Sequence, residues 1–329
     1  MGNDLTTTLR VQLHRFRDLH SLVPLLRAPR PWQVRVLPET DALPITLESD
    51  GLRLAGSYYP ARDDAGTHRH DQGHGSAGPG IVLAHGSSPY GRRLPLIQVL
   101  AVLLRQRGYH VLTYDARCYG ESDHPPTPDD IRGFDFGRDV SAALDWLAAR
   151  SEVDAGRMSV IGHSFGAGAA LAAEVNDTRI ARLVLFGPPR RLRERFLNDH
   201  APHRQLILSR MQRDMNVPYP LNEAVICRMI ARRDIEGQIE HFQGEDHAPL
   251  LLLDAAREGV ADRDFLRHVH RRMGPHVTYW TVPDTDHYLN TGRLLGRVVY
   301  HPARVLPFVE KVDRFLCDPS PVASASASG

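Results

Sequence analysis

Met158-Ser159-Val160-Ile161-Gly162-His163-Ser164-Phe165-Gly166-Ala167-Gly168-Ala169-Ala170 joins a short apolar run to a string of small residues through a serine flanked by glycines. The run has the length of a buried strand, and the small residues from Gly168 to Val175 read as a helix. A turn from strand to helix this tight needs glycine on both sides, and it lifts the serine hydroxyl clear of the sheet in front of a helix N-terminus. Ser164 is therefore the candidate nucleophile.

Outward from this turn the same alternation repeats. Apolar runs at Ile81 to Ala84, Val111 to Tyr114, Leu183 to Phe186, Leu250 to Leu253 and Val277 to Val282 are separated by helical periods, among them Leu94 to Arg105 and Asp139 to Ala149. Continuously apolar strands between amphipathic helices indicate a mostly parallel sheet covered on both faces. Upstream, Leu43 to Tyr58 reads as an antiparallel hairpin turning at Asp50-Gly51. No strand is evident between Gly187 and Gly244, where Leu206 to Met215 and Leu221 to Ile230 are amphipathic. This is read as a helical cap insertion over the carboxyl ends of the strands, where open α/β sheets bind ligands.

The expected organisation is an N-terminal amphipathic helix and linker over 1–42, a core over 43–187 and 245–318, the cap over 188–244 and a disordered Ser/Ala-rich tail over 319–329. The helix carries Arg10, His14, Arg15 and Arg17 between its apolar residues, which admits peripheral membrane contact through residues 7–26.

The chain has 329 residues, 40 Lys+Arg against 39 Asp+Glu and a formal net charge of +1, which speaks against a protein that works by neutralising phosphates, so no nucleic-acid partner is expected. Cys118, Cys227 and Cys317 lack the paired spacing of a zinc site or a disulfide set. His68, His70 and His74 lie in a polar stretch that reads as a solvated loop. No metal or cofactor is expected, and without an apolar segment of about 20 residues or a signal core the chain is read as cytoplasmic.

A serine hydroxyl attacks at neutral pH only when an imidazole takes its proton, and a carboxylate must orient that imidazole. His287, after the strand Val277 to Val282, is the candidate base, and Asp254, Glu258 and Asp262 are the candidate acids. The first part of the insertion, from Arg190 to Arg213, holds seven arginines against Glu194 and Asp199. Asp214, Glu223, Glu236 and Glu240 restore the balance further on, so these arginines are read as solvated helix faces, and no CoA site is expected.

From Leu43 to Leu316 the chain resembles the α/β-hydrolase superfamily. Gly162-His163-Ser164-Phe165-Gly166 is similar to its nucleophile elbow. Leu83-Ala84-His85-Gly86-Ser87 resembles its H-G strand end, and Asp115-Ala116-Arg117-Cys118-Tyr119-Gly120-Glu121-Ser122 its D-x-R-G-x-G-x-S segment, with Cys118 in place of a glycine. Asp254 to Glu258 stands where the family reads H-G-x-x-D and departs from it, with Asp254 in place of the histidine and Glu258 on the acid position.

The resemblance implies a triad of Ser164, Glu258 and His287 and an oxyanion hole made by the backbone N–H groups of Ser87 and Phe165. It also implies a serine hydrolase acting on a small-molecule acyl substrate, with a carboxylic ester as the expected bond. The alternatives are a thioesterase, a peptidase or an acyltransferase on the same triad, or a non-catalytic binding member of the fold.

Overall fold

A computed structural model of the protein describes residues 22–62, 77–191, 202–231, 235–238, 241–243, 247–257, 260–274 and 277–318. The expected membrane-contact segment is thus described only from residue 22 onward, and the histidine-rich stretch and the Ser/Ala-rich tail lie outside the described residues.

The described residues begin with a one-turn helix α1 (Val23–Leu26), strand β1 (Arg35–Val36) and a hairpin of β2 (Leu43–Ser49) and β3 (Leu52–Tyr59). The hairpin turns at Asp50 and Gly51, with φ of 52° and 76°. Positive φ at both central residues matches the right-handed twist of the strands, which is why Asp-Gly signals such a turn. There follow β4 (Gly78–Ala84), α2 (Pro95–Arg105), β5 (His110–Tyr114), α3 (Phe136–Ala148), β6 (Val153–His163), α4 (Phe165–Glu174) and β7 (Ile180–Phe186). Helices α5 (Pro202–Asp214) and α6 (Glu223–Ala231) precede β8 (Leu250–Ala255), α7 (Val260–Met273) and β9 (Val277–Val282). A short pair, β10 (Gly292–Leu294) and β11 (Arg297–Tyr300), leads to the last helix, α8 (Pro302–Leu316).

Eight strands form one sheet in the order β2-β3-β5-β4-β6-β7-β8-β9. The β2–β3 and β3–β5 pairs are antiparallel and the rest are parallel. Along each inner strand the residues alternate between two cores. Val82, Leu112, Val160, Leu185 and Leu252 join one cluster with α3 and α4, while Leu83, Val111, Ile161, Val184 and Leu251 join another with α2 and α8. The sheet is thus buried on both faces, and each such Val, Leu or Ile contributes about 1.5–3 kcal/mol by leaving water.

One expectation needs correction. Residues 1–42 are not only helix and linker, because β1 pairs with β11 and forms with β10 a separate three-stranded sheet. Val36 sits opposite Val299, so this segment is stitched to the far end of the chain. Among the described residues no helix is long and apolar enough to cross a membrane.

Two motif residues turn out to be braces. Arg117 is fully buried and donates to Asp139 at 2.8 Å, to Ser49 at 2.8 Å and to Asp50 at 3.0 Å, tying the hairpin turn to α3. Asp115 accepts from the backbone N–H of Arg92 at 2.6 Å and of Glu121 at 2.9 Å. Just after them Cys118 has φ of 69°, the left-handed region that explains why a glycine is usual at this position.

Candidate active site

Strand β4 is flanked by β5 on one side and β6 on the other, so the chain changes winding direction here and leaves a crevice at the carboxyl ends. Ala84 at the end of β4 is in register with Gly162 near the end of β6. The residues that leave these strands, His85-Gly86-Ser87 and Ser164, therefore start side by side.

Ser164 has φ of 52° and ψ of −118°. A non-glycine residue held there is strained by about 1–3 kcal/mol, and the surroundings hold it: its N–H donates to the Phe186 carbonyl at 2.9 Å and its carbonyl accepts from the Ala167 N–H at 2.9 Å. The glycines on either side are steric requirements. A Cβ on Gly162 would meet the Ala167 Cα at 2.6 Å, and one on Gly166 would meet the Ala84 carbonyl oxygen at 2.3 Å. On the facing loop, a Cβ on Gly86 would come within 3.1 Å of the Ser164 Cβ.

His85 shapes that loop. The Ala116 N–H donates to its Nε2 at 3.0 Å, so the proton resides on Nδ1, which donates to the Gly86 carbonyl at 2.7 Å. In a trans peptide the N–H points opposite to the C=O, so this bond turns the Ser87 N–H away from the His85 ring and holds it there. An oxyanion donor has to be fixed in this manner before the reaction.

Complete burial depresses the His85 pKa against the opposing pull of Asp115, and burial depresses that of His110 as well. An unfolded histidine titrates near about 6.5. The folded state then binds fewer protons than the unfolded chain below that pH, so stability present above about pH 6.5 is lost as pH falls. The loss is at most about 1.4 kcal/mol per pH unit for each group. Urea unfolding is expected to show a falling midpoint between pH 7 and 5, with a shallower fall in His85→Asn; an identical slope in both proteins would remove His85 from this linkage.

His287 lies in a tight loop that Asp286 braces, accepting from the Tyr288 N–H at 2.9 Å and the Asn290 N–H at 2.7 Å. The His163 ring lies between this loop and β7. Its Nε2 donates to the His287 carbonyl at 2.8 Å, and its centroid is 4.7 Å from the His287 ring, 5.4 Å from Phe186 and 5.5 Å from Tyr288. The variable position of the G-x-S-x-G turn thus supports the candidate base.

A cavity of about 310 Å³ is lined by Ser87, Ser164, Phe165 and His287 together. Ile207, Arg210 and Met211 from α5 and Ile230 from α6 line it as well. Four of the expected site residues are therefore brought together. The candidate acids are not equivalent. Asp254 lies in β8, fully buried, and is ion-paired with Arg190, itself 6% exposed. Asp262 falls in α7, and Glu258 lies outside the described residues. The Arg257 N–H just before Glu258 donates to the Thr285 carbonyl at 2.9 Å, two residues before His287.

Arg190, Arg210 and Tyr288 also line the cavity, and the sequence reading assigned none of them to the site. For the two arginines the only sequence signal was the arginine-rich start of the insertion. The reading of solvated helix faces holds for Arg213, 60% exposed, but not for Arg190. Among the described residues no group of three or more His, Cys, Asp or Glu could hold a metal ion.

Among solved structures, an esterase of Pyrococcus furiosus superposes with a TM-score of 0.55 at 17% identity, over 86% of this chain and 95% of that one, a likeness of fold. An uncharacterized protein of Mycobacterium tuberculosis is 31% identical over 172 residues, which are 49% of this chain and 54% of that one. A polyketide transferase of Aspergillus fumigatus is 35% identical over 140 residues, 42% of each. The chain thus spans about half the length of the curated relatives it matches. The sequence profile of the alpha/beta hydrolase family matches residues 81–306, more than half of the chain, and the sheet order and the strand-to-helix turn at Ser164 agree with it: the chain belongs to the alpha/beta hydrolase family.

Proposed function

We propose that the protein is a serine hydrolase that cleaves a carboxylic ester of a small acyl substrate through an acyl-enzyme on Ser164. The observation that carries this reading is the strained Ser164 turn, which opens into the same cavity as His287. Ser164 Oγ attacks the ester carbonyl while His287 takes its proton, and the tetrahedral oxyanion is met by the N–H groups of Ser87 and Phe165. His287 then gives the proton to the departing alkoxide. Water, deprotonated by the same imidazole, attacks the acyl-enzyme and frees the acid and the Ser164 hydroxyl. Glu258 is the carboxylate assigned to orient His287.

Helices α5 and α6 act as the cap in this reading, since their side chains line the cavity that holds Ser164. A p-nitrophenyl ester series from acetate to palmitate tests the reading. Turnover is expected to peak at short chains, because about 310 Å³ lies at the small end of the range of about 300–1,000 Å³ for ligand pockets. Turnover of thioesters or amides with no ester cleaved would move the assignment to another acyl bond.

Peripheral membrane contact through residues 7–26 is part of the proposal. Leu26 is 70% exposed and Trp32, just beyond, 73% exposed, with Arg27 and Arg30 also exposed. Anionic vesicles are expected to sediment the intact chain and not one lacking residues 1–30. Equal sedimentation of the two removes that segment as the contact.

A further inference from the structure

The cavity that holds Ser164 carries a charge on its α5 lining where a purely apolar acyl pocket would carry none. Ile207, Arg210 and Met211 follow one another at helical spacing on α5 and line the cavity together, so Arg210 occupies the stripe that the helix turns toward Ser164. Its guanidinium hydrogen-bonds Tyr288, the residue next to His287, and its Nε lies 3.5 Å from the Asp214 carboxylate.

Asp214, 4% exposed, is shared with Arg213, whose Nε is 3.6 Å away, so two guanidinium groups flank one carboxylate. Arg190 is committed to Asp254. Among the described lining residues there is no Asp or Glu. The Arg210 side chain is 57% exposed, so its fork remains open to a ligand from the solvent side. A guanidinium presents five donors, more than Asp214 and Tyr288 take up, in a geometry that suits a carboxylate or a phosphate.

We propose that Arg210 is a specificity-determining residue that binds an anionic group, carboxylate or phosphate, carried by the ester substrate. The inference rests on Ser164 being the nucleophile of an ester hydrolase. The anion enters from one of two ends. On the acyl side it lies at the far end of a short chain that runs along Ile207 and Met211; on the alcohol side it belongs to the leaving group at the mouth.

Matched chromogenic esters separate these ends. Mono-p-nitrophenyl glutarate is compared with p-nitrophenyl pentanoate for the acyl side, and 3-carboxy-4-nitrophenyl butyrate with 4-nitrophenyl butyrate for the alcohol side. The wild type is expected to favour one anionic member by roughly tenfold or more in kcat/KM, the scale of one charge-assisted contact. Arg210→Gln is expected to collapse that ratio, mainly through KM, and Arg210→Lys to restore part of it. Arg213→Gln, outside the cavity wall, should keep the ratio, and thermal unfolding confirms that each variant is folded.

A ratio near one in the wild type, or a preference that survives Arg210→Gln, overturns the proposal while ester turnover stands. Failure of the hydrolase reading looks different, since no ester is then cleaved at all. Titration of glutarate and of inorganic phosphate into Ser164→Ala, with and without Arg210→Gln, then decides the matter without turnover. Saturable binding lost with Arg210 supports the anion site, and the absence of binding overturns it.

Discussion

Ser164→Ala is expected to lower ester turnover by at least about 1,000-fold and by as much as about 10⁶-fold, the range set by loss of a nucleophile whose partners act as a unit. Such a loss can come from chemistry or from collapse of the turn, and the structure separates the two. The turn is held by backbone bonds from Ser164 to Phe186 and Ala167, and the Ser164 side chain makes no capping hydrogen bond to α4. Alanine removes the hydroxyl and leaves those bonds in place. The strain of a positive φ is carried by either residue, so stability is expected to stay within about 0.5 kcal/mol of the wild type. A variant that retains more than one-tenth of the p-nitrophenyl ester turnover while folded ends the assignment of Ser164.

What could be read from the chain before its structure was what depends on neighbours in sequence. The Asp50-Gly51 turn is a two-residue backbone requirement, and the apolar strands announce burial on both faces because every residue from Leu250 to Leu253 is fully buried. The elbow is equally local, since the glycines at 162 and 166 answer to atoms of the same turn and of the adjoining strand end. The three-stranded sheet was missed because its strands are two to four residues long and β1 finds its partner at the opposite end of the chain.

The charged residues show the same division. Arg117 belonged to a recognised motif, yet its work is to join Ser49, Asp50 and Asp139, a role invisible without their positions in space. Asp254 ends an apolar strand in sequence and looks available, but Arg190, brought beside it by the loop after β7, takes up its carboxylate. The arginine excess of the insertion was visible as composition. Only the direction of α5 separates Arg210 on the cavity wall from Arg213 outside it.

That pairing leads to the second large effect, the identity of the acid. Glu258→Gln is expected to lower kcat by about 1,000 to 10,000-fold, the scale on which an amide in place of the orienting carboxylate leaves the imidazole in the wrong tautomer. Its stability should change little, because the segment before it is anchored by backbone bonds, Ala256 N–H to the Val282 carbonyl at 3.0 Å and Arg257 N–H to the Thr285 carbonyl at 2.9 Å. These bonds tie the loop entering position 258 to the loop that carries His287. Asp254→Asn should behave in the opposite sense. Its carboxylate neutralises a buried guanidinium, and breaking one side of such a pair costs about 3–5 kcal/mol, so the variant loses stability while the activity of its folded fraction persists. Asp262→Asn should change kcat by less than either. Measuring kcat per folded molecule beside urea midpoints for the three variants separates orientation of His287 from support of the sheet. A stable but inactive Asp254→Asn, with Glu258→Gln active, would transfer the role to Asp254 and require Arg190 to release it during turnover.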